Sequence, residues 1–451
     1  MIKIRYSLFF ALLSLMMFID VDGQIMNVPA ETLSLGTKMN VNNDDLEKLL
    51  FELPDIIFSK LENSPRFPST YLIKIKQAVD HHDVSKGFFY QKVYLTHKGF
   101  DKPTVMITEG YDMWENSSWD IVKLLGANQL KVEHRFYGES KPDSIDYRYL
   151  SIEQAAADYH FVQQLFKEIY KGKWISTGHS KGGAAAIGYR YFYPDDIDVC
   201  IPQAAPIITS NYDKRFITFL NTVFSAECIE KIRSFQVRLL ENRESILPLI
   251  DLYAFGAKYE FTYLTLEQAF EYSVLEYPSC LLEYSGCEAI PGDDESIPNI
   301  VKHFLSVIKL QWFSDEFIND FRSFFYQRAT EIGGYAYNTK GFDDLLVAAD
   351  PKAVVAPFEM SIKYDGKLMN DIIQWLDTKG DKFIYVYGTG DYWSAGAVPS
   401  NKNVNSVWFF LKDKRHLETN IAGMTDKERK KMISILENWL SLKIEDIYEN
   451  K

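Results

Sequence analysis

Cysteine is scarce: four residues, Cys200, Cys228, Cys280 and Cys287, in a chain of 451. No two form a C-x-x-C pair, and no cluster of His, Cys and Asp has zinc-ligand spacing. We therefore expect no metal and no cofactor. Basic charge is in deficit too. The 49 Lys and Arg against 62 Asp and Glu leave a net charge of −13, so nucleic acid is not an expected partner. Beyond the first two dozen residues no apolar run is long enough to cross a bilayer. There is no internal repeat and no low-complexity tract.

Apolar residues make up 47% of the chain and aromatics 15%, enough for a large core. The length suits one large domain with a sizeable insertion, or two domains. The opening stretch has Lys3 and Arg5, an apolar run from about Leu8 to Ile19, then Val21 and Gly23. This pattern reads as a signal peptide over residues 1–23, with no membrane span left after its removal. The expected location is secreted or periplasmic. Export permits disulfides. Spacing suggests Cys280–Cys287 as a local bridge and Cys200–Cys228 as the other, with buried free thiols the alternative. Asn116-Ser117-Ser118 is a glycosylation sequon.

Strands alternating with helices predict an α/β fold with a mostly parallel sheet. Residues 24–60 read as a polar lead-in. Tyr71 to Lys98 alternates apolar and polar residues, as antiparallel hairpin strands do. Thr104 to Thr108 and Gln129 to Glu133 are expected strands. Ser151 starts a helix with Ser-x-x-Gln as a capping box. The alternation stops after Pro206. Residues 207–350 read as an inserted helical cap rich in Tyr, Phe and acidic residues. The alternation returns over 351–451, with strands at Lys382–Tyr387 and Asn405–Leu411 and a closing helix. The sheet domain is thus expected in two parts, 24–206 and 351–451.

The stretch from Lys173 to Pro194 organises the rest. An apolar strand from Trp174 turns through Gly178-His179-Ser180-Lys181-Gly182 into a helix. G-x-S-x-G in that setting is a nucleophile elbow, which projects a serine from a strand end. A serine hydroxyl needs a base, and the base needs an orienting acid. In an α/β-hydrolase the chain order is Ser, acid, His, each at the carboxyl end of a strand. Asp391 follows the strand Lys382–Tyr387 through Gly388-Thr389-Gly390, and His416 is the only histidine after it. Ser180, Asp391 and His416 are the expected triad. His179 should point away from the pocket. The amide of Lys181 should supply one oxyanion donor, and the turn Glu109-Gly110-Tyr111 the other, with the Tyr111 amide as candidate.

Three runs carry a family resemblance. Gly178–Gly183, Glu133-His134-Arg135-Phe136-Tyr137-Gly138-Glu139-Ser140, and Tyr326-Gln327…Thr330-Glu331-Ile332-Gly333 resemble the secreted tripeptidyl aminopeptidases. These are serine peptidases related to the prolyl carboxypeptidases and lysosomal dipeptidyl peptidases. The resemblance spans the expected mature chain. It implies an α/β-hydrolase core, a helical cap, peptide substrates and release of short peptides, tripeptides first, from free N-termini. Glu331 and Glu109 are candidates for binding the substrate α-amine, with a structural carboxylate as the other reading of each. Glu133 and Arg135 read as an ion pair at the strand end. Two alternatives stand beside the exopeptidase: an esterase or lipase on the same fold, and a catalytically silent binding protein. The silent reading is weakened because all three triad members are present.

Overall fold

Among the described residues nine strands form one sheet in the order β1-β2-β3-β5-β4-β6-β7-β8-β9. They are β1 Ile56–Lys60, β2 Thr70–Ala78, β3 Phe88–Thr96, β4 Thr104–Thr108, β5 Asn128–Val132, β6 Trp174–His179, β7 Val199–Gln203, β8 Ile384–Gly388 and β9 Val407–Leu411. The structure is a computed structural model that describes residues 45–61, 69–353 and 364–448. The expected signal peptide lies outside the described residues. Strands β1, β2, β3 and β5 pair antiparallel. From β5 through β4, β6, β7 and β8 to β9 all pairing is parallel.

The parallel strands are buried on both faces, which is why they read as unbroken apolar runs. Strand β4 shows the two-residue period. Met106 joins the core on one face, while Val105 and Ile107 join the core on the other. The first face is covered by α1 Asp45–Glu52, α3 Ile152–Lys167, α4 Lys181–Phe192 and, late in the chain, a helix over Lys367–Lys379. The second is covered by α2 Asp120–Leu125 and a closing helix over Asp426–Leu440.

Between β7 and β8 the chain leaves the sheet. Helices α5 Arg215–Val223, α6 Ala226–Glu241, α7 Arg243–Ala257, α8 Leu266–Tyr284, α9 Ile297–Val307, α10 Asp315–Asp320 and α11 Arg322–Gln327 follow. A π-helical turn, Arg328–Ile332, closes the series. These helices build an apolar core of their own around Phe235, Phe270, Tyr277 and Phe304. The sheet, its helices on both faces and the excursion between β7 and β8 form an α/β-hydrolase fold. Among the described residues no helix is long and apolar enough to cross a membrane.

Several expectations change. The lead-in is not featureless: α1 packs Leu46 and Leu50 into the core, and β1 forms the edge of the sheet. The charged spacing of its short sequence hid both. The capping box at Ser151 is half formed. Its hydroxyl accepts the Gln154 amide at 3.1 Å, but the Gln154 side chain turns away to Asp80 and to the His81 amide. The disulfide is Cys228–Cys287, with Cα atoms 5.7 Å apart, and Cys200 and Cys280 are buried free thiols. Cys200 lies in β7 inside the sheet and Cys280 inside α8, so neither side chain is placed to make the expected bridges. The amide nitrogen of Asn116 donates to Thr96 at 2.9 Å, and its oxygen accepts from Gln129 at 3.0 Å. The sequon asparagine is thus tied down on the protein.

Candidate active site

Strand β6 ends at His179 and α4 begins at Lys181, leaving Ser180 alone in the turn. Its φ of 56° and ψ of −127° lie outside the regions L-residues prefer. Strain of this kind persists only where its surroundings enforce it. Here the Ser180 amide donates to the Gln203 carbonyl of β7 at 2.8 Å. The turn also needs glycine at 178, where a Cβ would stand 2.4 Å from the carbonyl carbon of Gly182. Ser180 Oγ is buried and makes no hydrogen bond among the described residues. It opens onto a largely apolar cavity walled by Trp312, Phe317, Phe324 and Trp393.

The expected acid and base meet. His416 Nδ1 is 2.9 Å from Asp391 Oδ1, and both side chains are buried. Asp391 caps the short helix that follows β8. Its Oδ1 also accepts the Trp393 amide at 2.9 Å, and its Oδ2 accepts the Ser394 hydroxyl at 3.3 Å. The carboxylate is therefore fixed before it meets the imidazole. His179 has a part the sequence did not reveal. Its Nε2 lies 3.0 Å from the His416 carbonyl oxygen, and the two rings meet edge to face at 4.7 Å. Burial holds His179 neutral, with its pKa pushed down to about 3. So the residue before Ser180 supports the main chain of His416.

The expected oxyanion elements also come together. Lys181 and Tyr111 line the cavity with Ser180. As the first residue of α4, Lys181 has an amide with no carbonyl one turn back to bond.

The proposed amine-binding carboxylates do not line the cavity. Glu331 turns to the start of α3 instead, where its Oε2 accepts the Ile152 amide at 2.8 Å. Burial pushes its pKa up to about 7. Glu109 lies 3.4 Å from Lys131 Nζ. Both fit the structural reading. Glu133 and Arg135 do not pair with each other. Arg135 makes a two-pronged contact with Asp158, 2.7 Å on each side, while Glu133 accepts from the Ser140 hydroxyl at 2.6 Å and the Met113 amide at 2.8 Å. A bidentate partner on α3 outcompetes a neighbour two residues away whose oxygens are already filled.

The carboxylates that do line the cavity are Glu276 and Glu283, both on α8. Glu276 accepts the hydroxyls of Tyr335, Tyr337 (2.6 Å) and Ser279 (3.0 Å). Glu283 stands beside the Asp391–His416 pair, 3.5 Å from the His416 amide nitrogen, and burial raises its pKa. Arg328 also lines the cavity, its guanidinium 4.9 Å from the centre of the Tyr335 ring. Sequence reading missed these residues because each faces the cavity only once distant segments have packed. Their one signal was helical spacing, since Glu276 and Glu283 lie seven positions apart. No group of three or more His, Cys, Asp or Glu among the described residues could hold a metal ion.

Fold and site together define a serine peptidase of the α/β-hydrolase type. The chain belongs to the PS-10 peptidase S37 family, whose pattern matches residues 42–451. It is 27% identical over 408 residues to the prolyl tri/tetrapeptidyl aminopeptidase of Streptomyces mobaraensis, covering 88% of this chain and 85% of that one. It is 29% identical over 203 residues to the lysosomal Pro-X carboxypeptidase of Bos taurus, covering 39% and 41%. Among solved structures it is similar to acetyl xylan esterase 1 of Thermoanaerobacterium sp., at 11% identity and a TM-score of 0.36, over 87% of this chain and 91% of that one.

Proposed function

We propose that this protein is an exported serine exopeptidase that releases short peptides, tripeptides first, from free N-termini. The observation that carries it is Ser180 in a strained turn at the wall of an apolar cavity, with the Asp391–His416 pair built beside the same strand ends. The full-length likeness to a tri/tetrapeptidyl aminopeptidase supports the exopeptidase part. The Cys228–Cys287 disulfide supports export, since such bonds persist in oxidising compartments. The helices between residues 207 and 350 serve as the cap that encloses the substrate.

In this mechanism His416 Nε2 takes the proton of Ser180 Oγ as the oxygen attacks the scissile carbonyl. Asp391 holds the imidazole in the tautomer that keeps Nε2 open to that proton. It also stabilises the imidazolium that forms. The amides of Lys181 and Tyr111 bear the charge of the tetrahedral intermediate. Collapse expels the amine, which takes the proton from His416. Water then attacks the acyl-enzyme by the same route, and the freed acid is the short peptide. The apolar walls bury substrate side chains, and a carboxylate of the cavity pairs with the α-ammonium.

The test is mass spectrometry of products from a mixed peptide library, with free and with acetylated N-termini, using Ser180→Ala as control. We expect short N-terminal fragments from free peptides, about ten- to a hundredfold slower cleavage of acetylated ones, and none from the alanine variant. Equal cleavage of free and acetylated peptides, or an active alanine variant, would defeat this reading.

A further inference from the structure

We propose that the side chain of Lys181 aims the second oxyanion donor, so that one residue sets both amides of the oxyanion hole. The inference rests on Ser180 being the nucleophile. It concerns the side chain of Lys181, which the elbow motif leaves without a role.

A lysine at the start of an exposed helix would reach for solvent. This one is buried, and its Nζ donates to the Gly110 carbonyl oxygen at 2.5 Å. The amine sits over two rings, 4.7 Å from the centre of Tyr137 and 5.2 Å from that of Tyr111. Burial drives its pKa well below the ordinary lysine range. An amine donates to a carbonyl in either protonation state.

The partner oxygen matters because of the peptide it belongs to. The Gly110 carbonyl and the Tyr111 amide share one planar trans unit, so they point in opposite directions. Holding the oxygen fixes the direction of the N–H. The other polar groups of the loop are already engaged. The Glu109 amide donates to Val132 at 3.0 Å, the Tyr159 hydroxyl donates to the Glu109 carbonyl at 3.1 Å, and the His134 amide donates to the Tyr111 carbonyl at 3.2 Å. Among the described residues the amides of Gly110 and Tyr111 meet no acceptor. Those are the groups an oxyanion would need.

Contact between loop and helix is close. A Cβ on Gly110 would fall 2.6 Å from the Gly182 nitrogen and 2.8 Å from Lys181 Cβ. The loop therefore rests on the first turn of α4, and the Lys181 stem is long enough to turn back and tie it there. Lys181 contributes its own amide directly and acts as a positioning residue for that of Tyr111.

Lys181→Met tests this, because it keeps the stem and removes the donor. Three quantities are measured on the full chain: kcat and KM for a cleaved peptide, affinity for a peptide aldehyde, and affinity for a product peptide. The aldehyde forms a tetrahedral adduct on Ser180 and so reads the oxyanion hole. We expect kcat to fall about thirty- to a hundredfold with KM within about twofold. Aldehyde affinity should weaken by the same factor, and product affinity should hold. A kcat within about threefold of wild type would overturn the assignment, as would equal losses of aldehyde and product affinity, which mark a general structural defect. If Lys181→Met does not fold by its thermal melt, Lys181→Leu, which also lacks a donor, goes through the same measurements. Ser180→Ala separates the two ideas. An active alanine variant defeats the peptidase reading itself. An inactive one beside a normal Lys181→Met defeats only the role of the lysine.

Discussion

The sheet half and the helical half of the molecule position their polar side chains by different means. In the sheet half each site residue leaves a strand end within a few positions, and its own turn or the neighbouring strand ends hold it. Asp391 is fixed by Trp393 and Ser394, and Ser180 by the adjacent strand β7. In the helical half the partners come from far along the chain. Glu276 is held by Tyr335 and Tyr337, Cys228 by Cys287, and the Glu271 carboxylate by Arg243 and the amides of Val347, Ala348 and Ala349. The first half is suited to fixed chemistry and the second to a wall whose shape sets specificity.

The largest expected effect sharpens that contrast. Asp391→Asn leaves the shape intact but offers the imidazole an amide in place of a carboxylate. We expect kcat to fall about 10⁴-fold, with product-peptide affinity within about twofold. Steady-state kinetics and product inhibition check both. If product affinity drops as far as kcat, the sheet half shapes the substrate wall too, and the division breaks down.

This division also explains what the chain made legible. The strands around Ser180, Asp391 and His416 were readable because motif and element coincide within a few residues. That Lys181 and Tyr111 would meet at the cavity beside Ser180 was readable because a strand-end turn places backbone by rule. The Cys228–Cys287 pairing was not, since sequence spacing cannot tell which thiols share a helix interior and which face each other across a loop. Which of the two readings of Glu331 the fold would favour was not legible for the same reason. It lies in a run that resembles a peptidase motif, but its π-helical turn sends the carboxylate to the α3 start and not to the cavity. Glu276 and Glu283 were two of many acidic residues until α8 took its place.

Glu331 gives the second prediction, on stability. Its pKa is about 7 in the fold, against an ordinary value of 4.5. Between these values the folded protein keeps a proton that the unfolded chain has released, so stability falls as pH rises from about 4.5 to 7. Below that window both states are protonated, and above it both are ionised. Glu331→Gln retains an acceptor for the Ile152 amide and removes the titration. Its stability relative to wild type should therefore rise by about 3 kcal/mol across the window and stay level outside it. Buried His179 acts in the opposite sense, losing stability as pH falls below about 6.5, but it is common to both proteins and cancels. Urea unfolding at several pH values checks this. A constant difference would mean that the carboxyl does not titrate there, and that the join between the helical half and α3 is insensitive to its charge.

The smallest expected effect bears on how the helical half measures a substrate. Glu283 stands next to His416, and Glu276 lies two turns back along the same helix. Two turns are about 10 Å of rise, and three extended residues span about 10 Å. Glu276 is therefore about one tripeptide length along α8 from Glu283, which itself stands beside the Asp391–His416 pair. Three hydroxyls already hold Glu276, which fixes its position yet leaves one lone pair, on Oε2, for an ammonium. Glu276→Gln should lower kcat/KM for free tripeptide-releasing substrates about tenfold and leave acetylated ones nearly unchanged. Glu331→Gln should change neither. If instead Glu283→Gln carries the discrimination between free and acetylated substrates, the α-amine binds beside the triad and the enzyme releases shorter fragments. If no cavity carboxylate carries it, the ruler is not on α8, and the contrast between fixed chemistry and measuring wall has to be drawn elsewhere.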